Sequence, residues 1–207
     1  MNQKNSLGLN KSFKDENNPI SLFKIWFEEA KKSELNDPNA FSLGTSNKRG
    51  TPSIRTVLLK DFDNRGFVFY TNLNSVKSNA IKGNPVVSMC FHWKSLLRQI
   101  IIMGTVSNVS DQEADEYYNS RSYESRIGAW ASKQSSILNN REELNKKIEQ
   151  FKSKFPDNVK VPRPSHWSGW RVSPREIEFW LDGKNRIHER LKYIKANKIW
   201  EKVLLSP

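Results

Sequence analysis

The chain has 207 residues, 36% of them hydrophobic, one cysteine, three histidines and a formal charge of +12. That length and apolar content suffice for one sizeable core, and no long Gly/Ser linker or repeat divides it. A disulfide framework and a cysteine-rich zinc cluster are excluded, and neither a membrane-spanning apolar run nor a signal-like N-terminus is present, which points to the cytoplasm and a reducing compartment.

Residues 1–17 are polar and aperiodic and read as a mobile N-terminal arm, with 18–207 as a single domain. Asn18-Pro19 then opens a helix, because proline suits the first helical turn, and Leu22, Phe23, Trp26, Phe27 and Ala30 form its apolar stripe. Ala40 to Thr45 and Thr51 to Lys60 read as paired strands about the polar turn 46–50. Phe67 to Thr71 is the next strand, after a turn-rich 61–66. This stretch gathers Arg55, Lys60 and Lys77 with the hydroxyls of Thr71 and Ser75, a set able to bind an anion's oxygens. Arg55 and Lys60 lie five positions apart, so strict alternation sends them to opposite faces: either a bulge intervenes or they serve different surfaces.

A short helix over 74–82 is stopped by Gly83-Asn84-Pro85, and strands follow at Val86 to Trp93 and Leu96 to Val109. Gln99, polar within an apolar run, either faces solvent or donates to a ligand. Cys90 and His92 share a strand face and read as packing. Ser110 and Glu113 form a capping box that starts a helix. If that helix runs on to Ser125, then Tyr117, Arg121 and Ser125 fall at successive i, i+4 positions, a phenol, a guanidinium and a hydroxyl suited to a phosphate. Residues 128–136 read as a small-residue loop and 139–155 as a charged, exposed helix.

The last third reads as strands at 167–172, 176–181, 186–194 and 198–204. Ile177, Phe179 and Leu181 share one face, which leaves Trp180 on the other. Arg186, His188 and Arg190 alternate along one face, three donors roughly 7 Å apart by strand rise, and form either an anion site or a solvated basic edge. No glycine-rich phosphate loop is present, so side chains must hold any phosphate. The charge of +12 is spread along the chain. It fits a solvated basic surface, a nucleic-acid binder or a site for small phosphorylated ligands.

Six ordered motifs then coincide: R-T-V-L-L-K at 55–60, F-Y-T-N at 69–72, R-Q at 98–99, S-R at 120–121, I-G-A-W-A-S-K-Q-S-S at 127–136, and E-F-W followed by R-I-H-E-R within 178–190. From about Pro19 to the C-terminus the chain resembles the pyridoxamine 5'-phosphate oxidase family. The resemblance implies a mainly β fold with peripheral helices, an FMN-binding split β-barrel that is homodimeric, with FMN at the subunit interface. It implies oxidation of pyridoxamine or pyridoxine 5'-phosphate to pyridoxal 5'-phosphate, with dioxygen as acceptor, hydrogen peroxide as by-product and ammonia from the amine.

By matching position, Arg55, Thr56, Val57, Leu58, Leu59 and Lys60 would contact FMN, as would Tyr70, Thr71 and Lys77. Gln99, Gln134, Ser135, Trp180 and Arg190 would join them, some from the partner subunit. Lys60, Tyr117, Arg121 and Ser125 would hold the substrate phosphate, with Arg186 and His188 over the pyridine ring as the catalytic pair. Neither nucleic acid nor a membrane is implied as a partner. Two features depart from the family pattern. Val76 stands where an arginine usually precedes the lysine, removing a charge-assisted contact, and no basic, tyrosine-bearing cover segment is recognisable in 1–18. A flavin carrier without turnover, or the same barrel with another substrate, are the competing readings.

Overall fold

The computed structural model describes residues 6–197 and 199–207. The helix expected at Asn18-Pro19 is α1 (Pro19–Ser33), whose first turn is closed by the Asn18 side chain accepting from Ile20 N–H. Its apolar stripe lies inside a curled sheet: Phe23 packs edge-on against Phe62 and Phe67, both at 4.9 Å between ring centroids, and against Phe91 at 5.3 Å. A stripe of this kind is buried because each aromatic ring takes a large apolar area out of water.

The strands are β1 (Ala40–Ser46), β2 (Pro52–Leu58), β3 (Asp61–Asp63), β4 (Gly66–Asn72), β5 (Val86–Trp93), β6 (Arg98–Asn108), β7 (Trp167–Leu181), β8 (Glu189–Ala196) and β9 (Ile199–Leu205). They pair antiparallel in the order β2-β1-β5-β6-β7-β4-β3. The Lys60 N–H donates to Val68 O at 2.9 Å and draws the two ends of that order together. β7 is shared: its first half pairs with β4, its second half with β8, and β6 runs beside both. The β6/β7 register shifts at Met103/Gly104, opposite Pro174. Only glycine fits there, because a Cβ at 104 would lie 2.3 Å from Ser173 O.

The helices α2 (Val76–Gly83), α3 (Asp111–Asn119), α4 (Tyr123–Ala131) and α5 (Arg141–Lys154) flank the sheet. No helix among the described residues is long and apolar enough to cross a membrane.

Several expectations change. The turn-rich 61–66 contains the short strand β3, paired with β4. Half of the expected loop 128–136 is the end of α4. The final third holds three strands, because the expected breaks at 173–175 are absorbed by the bulge in β7. Of the arm expected over 1–17, residues 1–5 lie outside the described residues, and 6–17 lie against the sheet. There Phe13 is fully buried against Trp26, whose indole N–H donates to Ser12 O, and the Tyr193 hydroxyl donates to Glu16 O.

Candidate active site

Lys77 sits in the first turn of α2, where Ser75 is the N-cap and accepts from Ser78 N–H. Its ammonium donates to Gln134 Oε1 at 2.9 Å, to Thr71 Oγ1 at 3.1 Å and to Ser75 Oγ at 3.4 Å. The Thr71 hydroxyl donates to the same Gln134 oxygen at 3.1 Å, and the Val76 N–H reaches Ser135 Oγ at 3.4 Å. Burial pushes the Lys77 pKa down, and the Arg55 charge adds to the push. Arg55 is itself lowered by burial, and its guanidinium donates to Leu43 O, Thr45 Oγ1 and Ser53, all neutral oxygens. Two desolvated cations meet at a helix N-terminus with only neutral partners, which is a setting for an anion.

Beside it Tyr70 stacks on Tyr117, with centroids 4.1 Å apart and planes 15° apart, and on Trp167 at 5.3 Å and 7°. Room for the Tyr70 ring comes from Gly169, where a Cβ would lie 2.7 Å from Tyr70 Cε1. Burial first, then neighbouring carboxylates, push the Tyr70 hydroxyl up to about 12, so it stays a neutral donor, here to Glu113 O. The Lys60 Nζ lies 5.9 Å from the Tyr117 centroid, and Arg121 Cζ lies 4.8 Å from that of Trp167. Arg121 Nη1 is buried without a hydrogen-bond partner, and burial lowers the Arg121 pKa. Arg121 and Ser125 line one cleft of about 310 Å³ with Tyr70, Thr71, Gln134 and Trp167.

Tyr117, Arg121 and Ser125 come together by a different route from the one expected. α3 ends at Asn119, and Ser122 caps a second helix by accepting from Ser125 N–H. The competing cap breaks the helix, so Arg121 lies in the joint between α3 and α4. Lys60 lies beyond the end of β2, which removes the parity conflict with Arg55.

Gln99, Trp180 and Arg190 form a second cluster on three adjacent strands, Trp180 lying opposite both others. The Trp180 and His188 ring centroids are 4.6 Å apart. Arg190 donates to Glu178 Oε1 at 2.7 Å and to Ser206 O at 2.9 Å. The expected row of Arg186, His188 and Arg190 on one strand is not formed. Residues 184–186 make a 3-10 turn, and β8 starts only at Glu189, so Arg186 stands exposed at the turn. This cluster sits near the end of β7, thirteen residues from Trp167 at its start, roughly 40 Å at strand rise if the strand runs straight. The 310 Å³ cleft takes no lining residue from it.

Trp167 and Asp182 were given no site role from sequence; the available signal was the W-S-G at 167–169, in which Gly169 makes space for a ring across the sheet.

The profile of the pyridoxamine 5'-phosphate oxidase family matches residues 27–155. The chain belongs to this family. The profile of the pyridoxine 5'-phosphate oxidase C-terminal dimerisation region matches residues 167–207. Among the oxidase relatives, the pyridoxine/pyridoxamine 5'-phosphate oxidase of Pelagibacter ubique (strain HTCC1062) is 65% identical over 208 residues, covering 100% of both chains. That of Allorhizobium ampelinum is 50% identical over 197 residues, 94% of this chain and 95% of the relative. The crystal structure of PhzG from Burkholderia lata 383, in complex with tetrahydrophenazine-1-carboxylic acid, superposes with a TM-score of 0.89 at 29% identity, covering 95% and 96% of the two chains. An FMN binding protein related to pyridoxamine 5'-phosphate oxidase, from Nostoc punctiforme, shares the fold at a TM-score of 0.73 and 14% identity, over 92% of this chain and 98% of that one. The split-barrel architecture of the oxidase family is thus the fold of this chain.

Proposed function

We propose that this chain oxidises pyridoxamine 5'-phosphate or pyridoxine 5'-phosphate to pyridoxal 5'-phosphate as an FMN-dependent homodimer. One observation carries the reading: the buried, unpartnered Arg121 guanidinium nitrogen shares its cleft with Thr71 and Gln134, the groups that hold the desolvated Lys77. Two cationic groups, Arg55 with Lys77 and Arg121 with Lys60, next to the stacked rings of Tyr70, Tyr117 and Trp167 fit two phosphorylated aromatic molecules.

On this reading Arg55, Lys77, Thr71, Gln134 and Ser135 hold the FMN phosphate and ribityl chain, and residues 56–60 with Tyr70 border the flavin. Lys60, Tyr117, Arg121 and Ser125 hold the substrate phosphate. FMN held by these residues would supply a hydride acceptor for the substrate's exocyclic carbon, with dioxygen as the final electron acceptor and hydrogen peroxide as the by-product. The protein orients the two rings and excludes water. Gln99, Trp180, Arg186, His188 and Arg190 line no part of the Arg121 cleft in their own copy. They reach it from the partner subunit. Exposed Ile54, Val86 and Met103, clustered beside Arg55 in one apolar cleft, give a second copy a surface to cover.

The test compares phosphorylated and dephosphorylated substrates on the FMN-loaded protein, with pyridoxal 5'-phosphate and hydrogen peroxide measured. Turnover with the phosphorylated compounds alone is the expected result. Equal rates with free pyridoxine would remove the role given to Arg121.

A further inference from the structure

A histidine held by one ring nitrogen presents the other, and what faces the first nitrogen decides which of the two carries the proton. After β7 the chain returns to β8 through residues 182–188. The Asp182 N–H donates to Leu97 O at 3.0 Å and pins the start of this turn. Gly183 is required within it, because a Cβ there would lie 1.8 Å from Ile187 O. Asn185 and Arg186 are both left-handed, with φ of 56° and 64°, a costly conformation for residues with side chains.

This closed turn places His188 Nδ1 3.1 Å from Asp182 Oδ1 and 3.2 Å from Gly183 N. The two contacts demand opposite states. The Gly183 N–H needs a lone pair on Nδ1, whereas the Asp182 carboxylate needs a proton there. A bond to a carboxylate is roughly twice as strong as one between neutral groups, and a lone pair turned toward that carboxylate is repelled by it. The Gly183 amide is only half-buried, so water can serve it. Of the other charges nearby, Arg190 is bound to Glu178, Glu189 accepts from the Asn10 N–H, and Arg186 is exposed to solvent at the turn.

We infer that Asp182 is a positioning residue that keeps the proton on His188 Nδ1, so that Nε2 of the neutral ring is left as the acceptor. The Trp180 ring, 4.6 Å away and tilted by 38°, fixes the imidazole from one side. The consequence for chemistry rests on the oxidase reading above: Nε2 then accepts from the exocyclic hydroxyl or amino group of the substrate. The placement of the proton stands without that reading.

The experiment uses the FMN-loaded dimer labelled with 15N-histidine. Only His92, His166 and His188 contribute signals, and His188→Asn identifies the one in question. At a pH where the ring is neutral, His188 Nδ1 is expected to give the protonated, pyrrole-type nitrogen signal, and Asp182→Asn to convert it to the pyridine type. A pyridine-type Nδ1 in the wild-type dimer overturns the inference, whatever the variant does. Asp182→Asn is also expected to lower kcat about tenfold, the size of one hydrogen bond to a charged group, at unchanged FMN content. An unchanged kcat would likewise overturn it. Wild-type protein that shows the protonated Nδ1 yet turns over neither phosphorylated vitamer supports the Asp182 assignment while sinking the oxidase reading.

Discussion

Burial works against the charged form of Lys77, and the hydroxyl and amide oxygens around it are neutral. A depressed lysine pKa means that the charged form costs stability at neutral pH, a cost relieved either at strongly alkaline pH or by an anion at the site. Lys77→Ala is therefore expected to weaken FMN binding by about 10- to 100-fold, the range for a hydrogen bond to a charged group, measured by flavin fluorescence quenching. Val76, exposed beside it at the start of α2, offers no charge. Val76→Arg is expected to tighten FMN binding; an unchanged affinity would show that Arg55 and Lys77 already complete the seat. These cations were legible in the sequence because charge and hydroxyl groups cluster between 55 and 77. What could not be read was that Gln134, 57 residues from Lys77, closes the cluster, since that contact exists only once the segment after α4 lies against the end of β4.

At the scale of elements, α3 depends on its capping box. Glu113 accepts from the Ser110 N–H and pairs with Arg171, a nearly buried guanidinium, and with Arg65. The backbone bond from Ser110 and these cations hold the Glu113 pKa below the usual carboxylate range, despite the opposing effect of burial. A carboxylate depressed in the folded state adds stability above its unfolded pKa and loses it as pH falls through the folded one. Glu113→Gln, which keeps a capping side chain, is thus expected to flatten the acid limb of the stability curve. Glu113→Ala should also cost about 1–3 kcal/mol at neutral pH, because Arg171 loses a partner, as measured by urea unfolding. The segment before α1 gives a second check: Phe13→Ala is expected to cost about 3–5 kcal/mol, the usual price of emptying a buried aromatic site, and a loss below 1 kcal/mol would contradict its packing on Trp26. The capping box and the α1 stripe were readable because local sequence determines them. The break between α3 and α4 was not, because Ser122 competes with helix continuation and only the local energies decide. Phe13 escaped notice as a single apolar residue in a polar run, since its partner Trp26 belongs to the next element.

For the whole molecule, the decisive fact is that β7 carries one candidate cluster at each end. The expected strand row of Arg186, His188 and Arg190 came from alternation alone, and the left-handed turn at 185–186 breaks it. In the homodimer proposed above, two copies related by a dyad would place one cluster against the other, with the exposed apolar face beside Arg55 between them. If FMN binds as proposed, supplying it to protein stripped of it should raise the melting temperature steadily with the logarithm of its concentration, because a ligand that binds only the folded state stabilises it. The most direct measurement is anaerobic addition of pyridoxine 5'-phosphate to the FMN-loaded protein, followed by flavin absorbance. Bleaching of the flavin, reversed on admitting air with release of pyridoxal 5'-phosphate, is the expected result. An absorbance that stays unchanged while the phosphorylated ligand binds tightly would contradict the proposed reaction and leave only a binding protein.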